Sequence, residues 1–159
     1  MDTDRALRDH LLELLSGGSA HVKFEAAIEG LAPELVGKKA PGLPHTPWQL
    51  LEHLRIAQWD LLEFCRNPDY VSPSWPEGYW PEGEAPPDDG AWHQSVEAFL
   101  RDLQEVKDLV ADPKTDLFLQ VPWGDGQTIL REVLLVADHN AYHVGQLVTV
   151  KQGLGSGHS

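Results

Sequence analysis

The stretch VLLVADHNAYHVGQLV, residues 133–148, combines the pattern of a buried helix with two histidines, His139 and His143. Its apolar residues recur at intervals of three and four, which is the repeat of one face of an α-helix. At about 100° per residue, the two histidines fall together on one side of that helix, beside the main apolar stripe. More of the helix is apolar than one core-facing side requires. We therefore expect neighbours on more than one side, either within a bundle or from another subunit.

The composition predicts one domain with no role in nucleic-acid binding or membrane insertion. A chain of 159 residues suits a single core, which we place at residues 1–153, with 154–159 as a flexible tail. A net charge of −13 and only 12 Lys and Arg residues argue against binding to nucleic-acid phosphates. No run of about 20 apolar residues and no signal-peptide pattern is found, so we expect a cytoplasmic protein. The single cysteine, Cys65, excludes an internal disulfide and is expected to be a buried apolar residue.

Helical periodicity and capping residues predict an all-α protein. Thr46, Pro47 and Gln49 form a capping box that starts one helix, and Thr128 can cap another. Ser19 can cap the second piece of an interrupted N-terminal arm. The predicted helical ranges are 3–15 and 19–31 in the arm, then 46–66, 90–110 and 129–152. We predict an up-down four-helix bundle in which a long crossover loop joins the second and third helices.

The crossover, PDYVSPSWPEGYWPEGEAPPDDG at residues 68–90, contains six prolines and a repeated WPEG motif. So many prolines exclude a regular helix or strand. The aromatic residues favour an ordered loop that packs on the body of the protein, because disordered linkers are poor in such residues. We expect Trp75 and Trp80 to cover a pocket.

His139 and His143 can bind one divalent metal ion, because histidines four apart on a helix present their ring nitrogens on one face. The spacing of these two histidines alone is also compatible with side chains that bind no metal and only form hydrogen bonds with solvent or helix caps. A third histidine, His53, lies at the edge of an apolar helix face, where burial of an imidazole without a partner would be costly. Asp60 and Glu132 lie on the histidine sides of the two helices. We expect them to be solvated or supporting carboxylates rather than catalytic ones.

The other candidates near the site give weaker signals. His45 precedes the cap at Thr46 and can line the same mouth. Tyr142 and Asp138 are turned away from the histidine side of their helix. The remaining histidines lie among polar residues or in the tail and are expected to be solvated: His10, His21, His93 and His158.

Two motifs connect the histidines to a known family. W-x-x-L-x-H runs from Trp48 to His53, and H-x-x-x-H-x-G-Q-L runs from His139 to Leu147. In this order and spacing they resemble the DinB-like superfamily of four-helix-bundle metalloproteins, and the resemblance covers nearly the whole chain. It implies a divalent metal held by three histidines, which by position are His53, His139 and His143. It also implies a homodimer, and relatives include transferases and isomerases that use low-molecular-weight bacterial thiols.

Three imidazoles leave coordination positions open for water, a thiol or a substrate. Zinc and nickel are the first candidates for the metal, with iron and manganese as alternatives. Such an ion can activate water or a thiol, and the sequence does not distinguish a hydrolase from a thiol-dependent S-transferase. A non-catalytic metal-binding or interaction protein with the same bundle is the alternative. With an ordinary imidazole pKa of about 6.5, metal binding is expected to weaken below a pH of about 6.

Overall fold

The computed structural model describes residues 3–155 and shows an all-helical fold. Its five α-helices are α1 Thr3–Ser16, α2 Phe24–Ile28, α3 Pro47–Arg66, α4 Ala91–Ala111 and α5 Ile129–Gly153. Single 3-10 turns lie at Pro33–Leu35 and Glu77–Tyr79, and the only β-type pairing among the described residues is an isolated bridge between Gln120 and Thr128. α3 packs against α4 and α5, α1 packs against the same two helices, and α2 packs against α5. The predicted all-α class and the long connection between α3 and α4 are confirmed.

The predicted start of α3 at Thr46 is confirmed. The Thr46 hydroxyl accepts a hydrogen bond from the Gln49 amide at 3.1 Å, and the Gln49 side-chain oxygen accepts one from the Thr46 amide at 3.1 Å. This capping box satisfies amides near the helix start that have no partner within the helix. The Thr46 hydroxyl also donates to the Glu84 carbonyl at 2.7 Å, so the start of α3 is tied to the crossover loop. Thr128 caps α5 by accepting from the Arg131 amide at 3.2 Å.

The N-terminal arm differs from the prediction, because Ser19 does not cap a helix. Gly17 and Gly18 adopt positive φ angles of 63° and 88°, which turn the chain out of the helical path. Residues 19–23 follow without helical structure, and α2 begins only at Phe24. α2 therefore has 5 residues instead of the longer helical piece that the sequence predicted.

The core consists of two hydrophobic clusters that share α5. The N-terminal half of α5 contributes Val133 and Val136 to the first cluster, which also includes residues of α1, α3 and α4. Its C-terminal half contributes Val144 and Leu147 to the second cluster, which includes residues of α2, α3 and α4. α5 is thus covered on more than one side by the same chain, which accounts for its broad apolar surface. None of the described helices is long and apolar enough to span a membrane.

Arg8 joins α1 to the end of α4. Its largely buried guanidinium donates to the carbonyls of Val110 at 2.7 Å, Asp112 at 3.1 Å and Thr115 at 2.7 Å. Carbonyls at the end of a helix have no partners within the helix, and the five N–H groups of a guanidinium suit several of them at once. The Asp4 carboxylate accepts from the same side chain at 2.8 Å, which fixes its direction.

Cys65 is a partly buried thiol on α3 and forms no disulfide. Burial raises the pKa of Cys65 to about 12, and the negative charge of Glu132 adds to this increase. The thiol therefore stays protonated at neutral pH, whereas the thiolate is the nucleophilic form. This environment agrees with the predicted packing role.

α5 ends at Gly153, and the chain continues in contact with its last turn. The Leu154 amide donates to the Val150 carbonyl at 2.9 Å, and the Leu154 side chain packs against the second cluster. The rest of the predicted flexible tail, residues 156–159 with His158, lies outside the described residues.

Candidate metal centre

Three histidines converge where α3 packs against α5. His53 comes from α3, and His139 and His143 come from successive turns of α5. The Nε2 atom of His53 lies 3.0 Å from that of His139 and 3.1 Å from that of His143. Each of the three rings offers a nitrogen that lies within 4.8 Å of the other two. The fold therefore brings together the three residues that the sequence singled out as candidate metal ligands.

Hydrogen bonds at the opposite ring nitrogen orient two of these histidines. The Nδ1 atom of His53 lies 2.8 Å from the Tyr79 carbonyl oxygen, which can only accept, so Nδ1 is the donor. The Nδ1 atom of His143 donates to the side-chain oxygen of Gln146 at 2.6 Å. A neutral imidazole has one N–H, so the Nε2 atoms of both rings direct lone pairs toward the shared centre. Metal-bound histidines are typically held in this way by a partner at their second nitrogen.

The spacing of the nitrogens fits a divalent ion. In their neutral forms, the Nε2 atoms of His53 and His143 face each other at 3.1 Å without a proton between them. A shared cation stabilises two such lone pairs. Two imidazole nitrogens that bind one ion at about 2.0 to 2.1 Å lie roughly 3 Å apart, depending on the angle at the ion. His139 supplies the third nitrogen at a matching separation of 3.0 Å from His53.

Burial keeps the three imidazoles uncharged. It lowers the pKa of His139 to about 3 and the pKa of His143 to about 4, and repulsion among the neighbouring histidines lowers both values further. Burial also lowers the pKa of His53, although its hydrogen bond to the Tyr79 carbonyl opposes this shift. Only the neutral imidazole binds a metal ion, so the site is in its binding form across the neutral pH range.

Trp80 covers the triad, whereas Trp75 does not. The Trp80 indole stacks on the His53 ring, with centroids 3.9 Å apart and an interplanar angle of 2°. His45 stacks on the Trp80 ring at 4.3 Å, which agrees with its predicted place at the mouth of the site. Trp75 is 76% exposed, so the prediction that it covers a pocket is wrong. A 3-10 turn separates the two tryptophans and leaves only the second one against α3.

Tyr79 and Asp60 hold the crossover loop over the site. The Tyr79 hydroxyl donates to the buried Asp60 carboxylate at 2.7 Å, while the Tyr79 carbonyl accepts from His53. Burial and the hydrogen bond to Asp60 raise the pKa of the Tyr79 hydroxyl well above its ordinary value, so it remains a donor. Asp60 is therefore a supporting carboxylate, as expected, and it acts on His53 only through Tyr79.

Glu132 does not reach the triad. Its buried carboxylate pairs with Arg131 at 2.7 Å near the start of α5. Within residues 3–155, no further His, Cys, Asp or Glu side chain joins the three histidines. Structural zinc sites are normally closed by four protein ligands, so three ligands leave room for an external one.

Two residues beside His143, Gln146 and Tyr142, contact its ring although the sequence pattern did not predict this. Gln146 orients the His143 ring, and its position three residues later on the same helical face could have identified it. Tyr142 is 65% exposed, in line with the prediction that it is turned away, yet its ring contacts that of His143 at a centroid distance of 4.9 Å.

The histidines that were predicted to be solvated are exposed in the described part of the chain. They are His10, His21 and His93.

A helical protein with three converging, neutral histidine nitrogens belongs to the class of candidate metalloproteins. The model of one family, the DinB superfamily, matches residues 5–147. The chain is a member of this superfamily, which confirms the predicted resemblance to the DinB-like superfamily. No curated protein and no solved structure matches the chain.

The stacking of Trp80 on His53 predicts that Trp80 slows exchange of a bound ion. We expect zinc-loaded Trp80→Ala protein to transfer its ion to an excess of a coloured chelator at least about tenfold faster than the wild type, as for other losses of support around metal ligands. Trp75→Ala is the matched control, because Trp75 is exposed, and it should exchange at the wild-type rate. Equal rates for Trp80→Ala and wild type would show that the loop is merely structural.

The lowered histidine pKa values change the expected pH dependence of metal binding. With pKa values of about 3 for His139 and about 4 for His143, protons compete with a metal ion for these two rings only at low pH. We expect zinc affinity to fall by less than about 30-fold from a pH of about 7 to a pH of about 5, which is the most that His53 alone would cost at its ordinary pKa, whereas three imidazoles of ordinary pKa would lose about 10⁴-fold. Isothermal titration at both pH values measures the difference.

The stability of the metal-free protein, in contrast, should depend on pH. The unfolded chain binds protons at a pKa of about 6.5, so the metal-free protein loses stability as the pH falls from about 6.5 toward about 4. Circular dichroism must therefore confirm folding at each pH. A drop in zinc affinity of about 10⁴-fold in folded protein would mean that the histidines titrate normally and that burial does not keep them neutral.

Proposed function

We propose that the protein is a divalent-metal-dependent enzyme whose ion is held by His53, His139 and His143. The observation that supports this proposal best is the convergence of three neutral imidazoles without a fourth His, Cys, Asp or Glu in the described part of the chain. An incomplete protein ligand set suits catalysis, since water, a thiol or a substrate can take the remaining position. Membership of the DinB superfamily is compatible with such a centre.

The ligand set favours zinc or nickel. Three imidazole nitrogens suit these borderline ions, whereas magnesium and calcium prefer oxygen ligands. Iron and manganese remain alternatives, because selectivity among the transition metals depends strongly on geometry and supply.

The side chains around the triad can support either hydrolysis or thiol transfer. A bound divalent ion would lower the pKa of water or of a thiol and polarise a carbonyl group. Tyr79 and Gln146 orient the rings, and Trp80 shields the face of His53 from water. Burial and the charge of Lys39 lower the pKa of His45, so this ring adds no positive charge beside the site at neutral pH. A thiol needs no protein base once its pKa is lowered, and a cytoplasmic location, which we also propose, would supply reduced thiols.

Metal binding itself is tested by thermal stability. The ligands come from two helices, so an ion that binds only the folded state stabilises it by mass action, by about 2.7 kcal/mol at 100 times Kd. Zinc or nickel added to chelator-stripped protein should raise Tm, and His143→Ala should remove most of that rise. His93→Ala is the control, because His93 is exposed on α4, and it should keep the full rise. Equal metal stoichiometry and affinity in wild type and His143→Ala would rule out His143 as a ligand.

Reaction class is then decided with the metal-loaded protein. Turnover of esters or amides without a thiol supports a hydrolase, and turnover of electrophiles only with an added low-molecular-weight thiol supports an S-transferase. In both cases His143→Ala should be inactive and His93→Ala active. Metal binding at full stoichiometry without turnover across the panel would favour the non-catalytic alternative.

We also propose a homodimer formed through the N-terminal end of α5. Leu134 on this helix is 44% exposed, and the exposed residues Phe118 and Leu119 belong to the segment whose backbone bonds to the first turn of α5. Exposed apolar side chains on two segments that are hydrogen-bonded to each other can form the kind of apolar surface that is typical of protein contacts. Burial of this patch in a second copy would also fit the expectation from the superfamily.

Sedimentation velocity at micromolar concentration tests the dimer. The wild type should sediment as a dimer, and Leu134→Glu should shift it toward monomer, because a buried unpaired carboxylate opposes association. Leu14→Glu, at an exposed leucine on α1, should leave the dimer intact. A wild type that is monomeric throughout would contradict the proposal.

A further inference from the structure

We propose that a groove beside the triad binds the uncharged, apolar part of the substrate. This inference rests on the proposed metal-dependent function, and it adds the chemical class of the substrate. The groove is a cavity of about 200 Å³ between the C-terminal half of α5, the start of α3 and the segment before it. Its apolar walls come from Leu43, Pro44, Leu50 and Val150.

The groove adjoins the triad through residues that contact the histidine rings. Gln146 lines the groove and accepts the hydrogen bond from Nδ1 of His143 at 2.6 Å. Tyr142 also lines it, and its ring meets that of His143 edge-on at 4.9 Å. On the opposite side, the groove residue His45 stacks on Trp80, which in turn stacks on His53. The groove therefore lies directly beside the His143 ring, with Gln146 and Tyr142 at their common boundary.

The lining selects against charged groups. It contains no Lys, Arg, Asp or Glu side chain, although the chain as a whole is rich in acidic residues. A phosphate or carboxylate placed there would lose water without gaining a counter-ion, which is costly. An apolar group gains about 25 cal/mol per Å² of surface removed from water. The cavity is smaller than a typical drug-sized pocket, so it suits a phenyl ring or a short alkyl chain.

Gly145 provides a way to fill the groove without disturbing the fold. It lies on α5 in the lining, and a Cβ atom added there meets no atom within 4 Å. Gly is also among the least favourable residues in a helix interior, so a larger side chain does not weaken α5 by its helix propensity. Thr149, exposed one turn later and also in the lining, offers a second position.

The test compares two metal-binding compounds on zinc-loaded protein by isothermal titration. Acetohydroxamate presents only the metal-binding group, and 3-phenylpropanohydroxamate adds an uncharged ring on a short linker. We expect the phenyl compound to bind wild type at least about tenfold more tightly, from burial of the ring. In Gly145→Leu and Thr149→Leu this advantage should fall below about threefold, while acetohydroxamate binds as in wild type. Gln152→Leu, at an exposed position on α5 outside the groove, should keep the advantage.

A charged version of the phenyl compound tests whether the groove selects uncharged groups. A para-carboxylate on the phenyl ring should abolish the tighter binding, and equal binding of the charged and uncharged compounds would contradict the proposal that this part of the substrate is uncharged.

A metal-independent probe separates failure of this inference from failure of the proposed function. If wild type binds no zinc, the metal proposal fails, and fluorescence of the uncharged probe N-phenyl-1-naphthylamine then tests whether the groove binds apolar molecules. The probe should bind wild type and Gln152→Leu but not Gly145→Leu. No phenyl advantage, together with a Gly145→Leu protein that changes from dimer to monomer, would show that a second copy fills the groove and would overturn the inference.

Discussion

The hydrogen bond from Nδ1 of His53 to the Tyr79 carbonyl joins the metal-site face of α3 to the crossover loop that covers it. It fixes the His53 ring so that Nε2 faces the two histidines of α5, 3.0 and 3.1 Å away. It also holds the crossover loop against α3, which places Trp80, the next residue, flat on the same ring. The orientation of the His53 ring, its tautomer and its cover by Trp80 therefore depend on one short contact between a helix and a loop.

The position of the triad within the core explains why its rings are neutral. α5 passes from one hydrophobic cluster to the other, and the histidines lie on the part of its surface that faces α3. Charged imidazoles at this seam would lose hydration and repel one another, so the folded state favours the neutral rings. The same neutrality leaves lone pairs in close contact, and a bound divalent ion would relieve that repulsion.

Local sequence signals predicted the features that depend on neighbours along one helix. The capping box at Thr46 and the spacing of His139 and His143 follow helical geometry, and both are present in the structure. The residues alone placed His53 at the edge of an apolar helix face, but its assignment to the same site as His139 and His143 required the family motif, because nothing local determines which face of α3 meets α5. Contacts made by the crossover loop were harder to predict from the sequence. The two WPEG repeats are identical in sequence, yet only Trp80 lies over the triad. The conformation of the proline-rich loop, which sequence periodicity does not encode, makes that difference.

The acceptor for His53 is a peptide oxygen, and this has a consequence for how the site can evolve. Every amino acid supplies the same carbonyl, so a replacement at position 79 changes the side-chain anchor to Asp60 without removing the acceptor itself. Selection on this contact acts on the path of the loop rather than on the identity of one residue. Related chains can then differ in sequence at this point and still hold the histidine in the same tautomer.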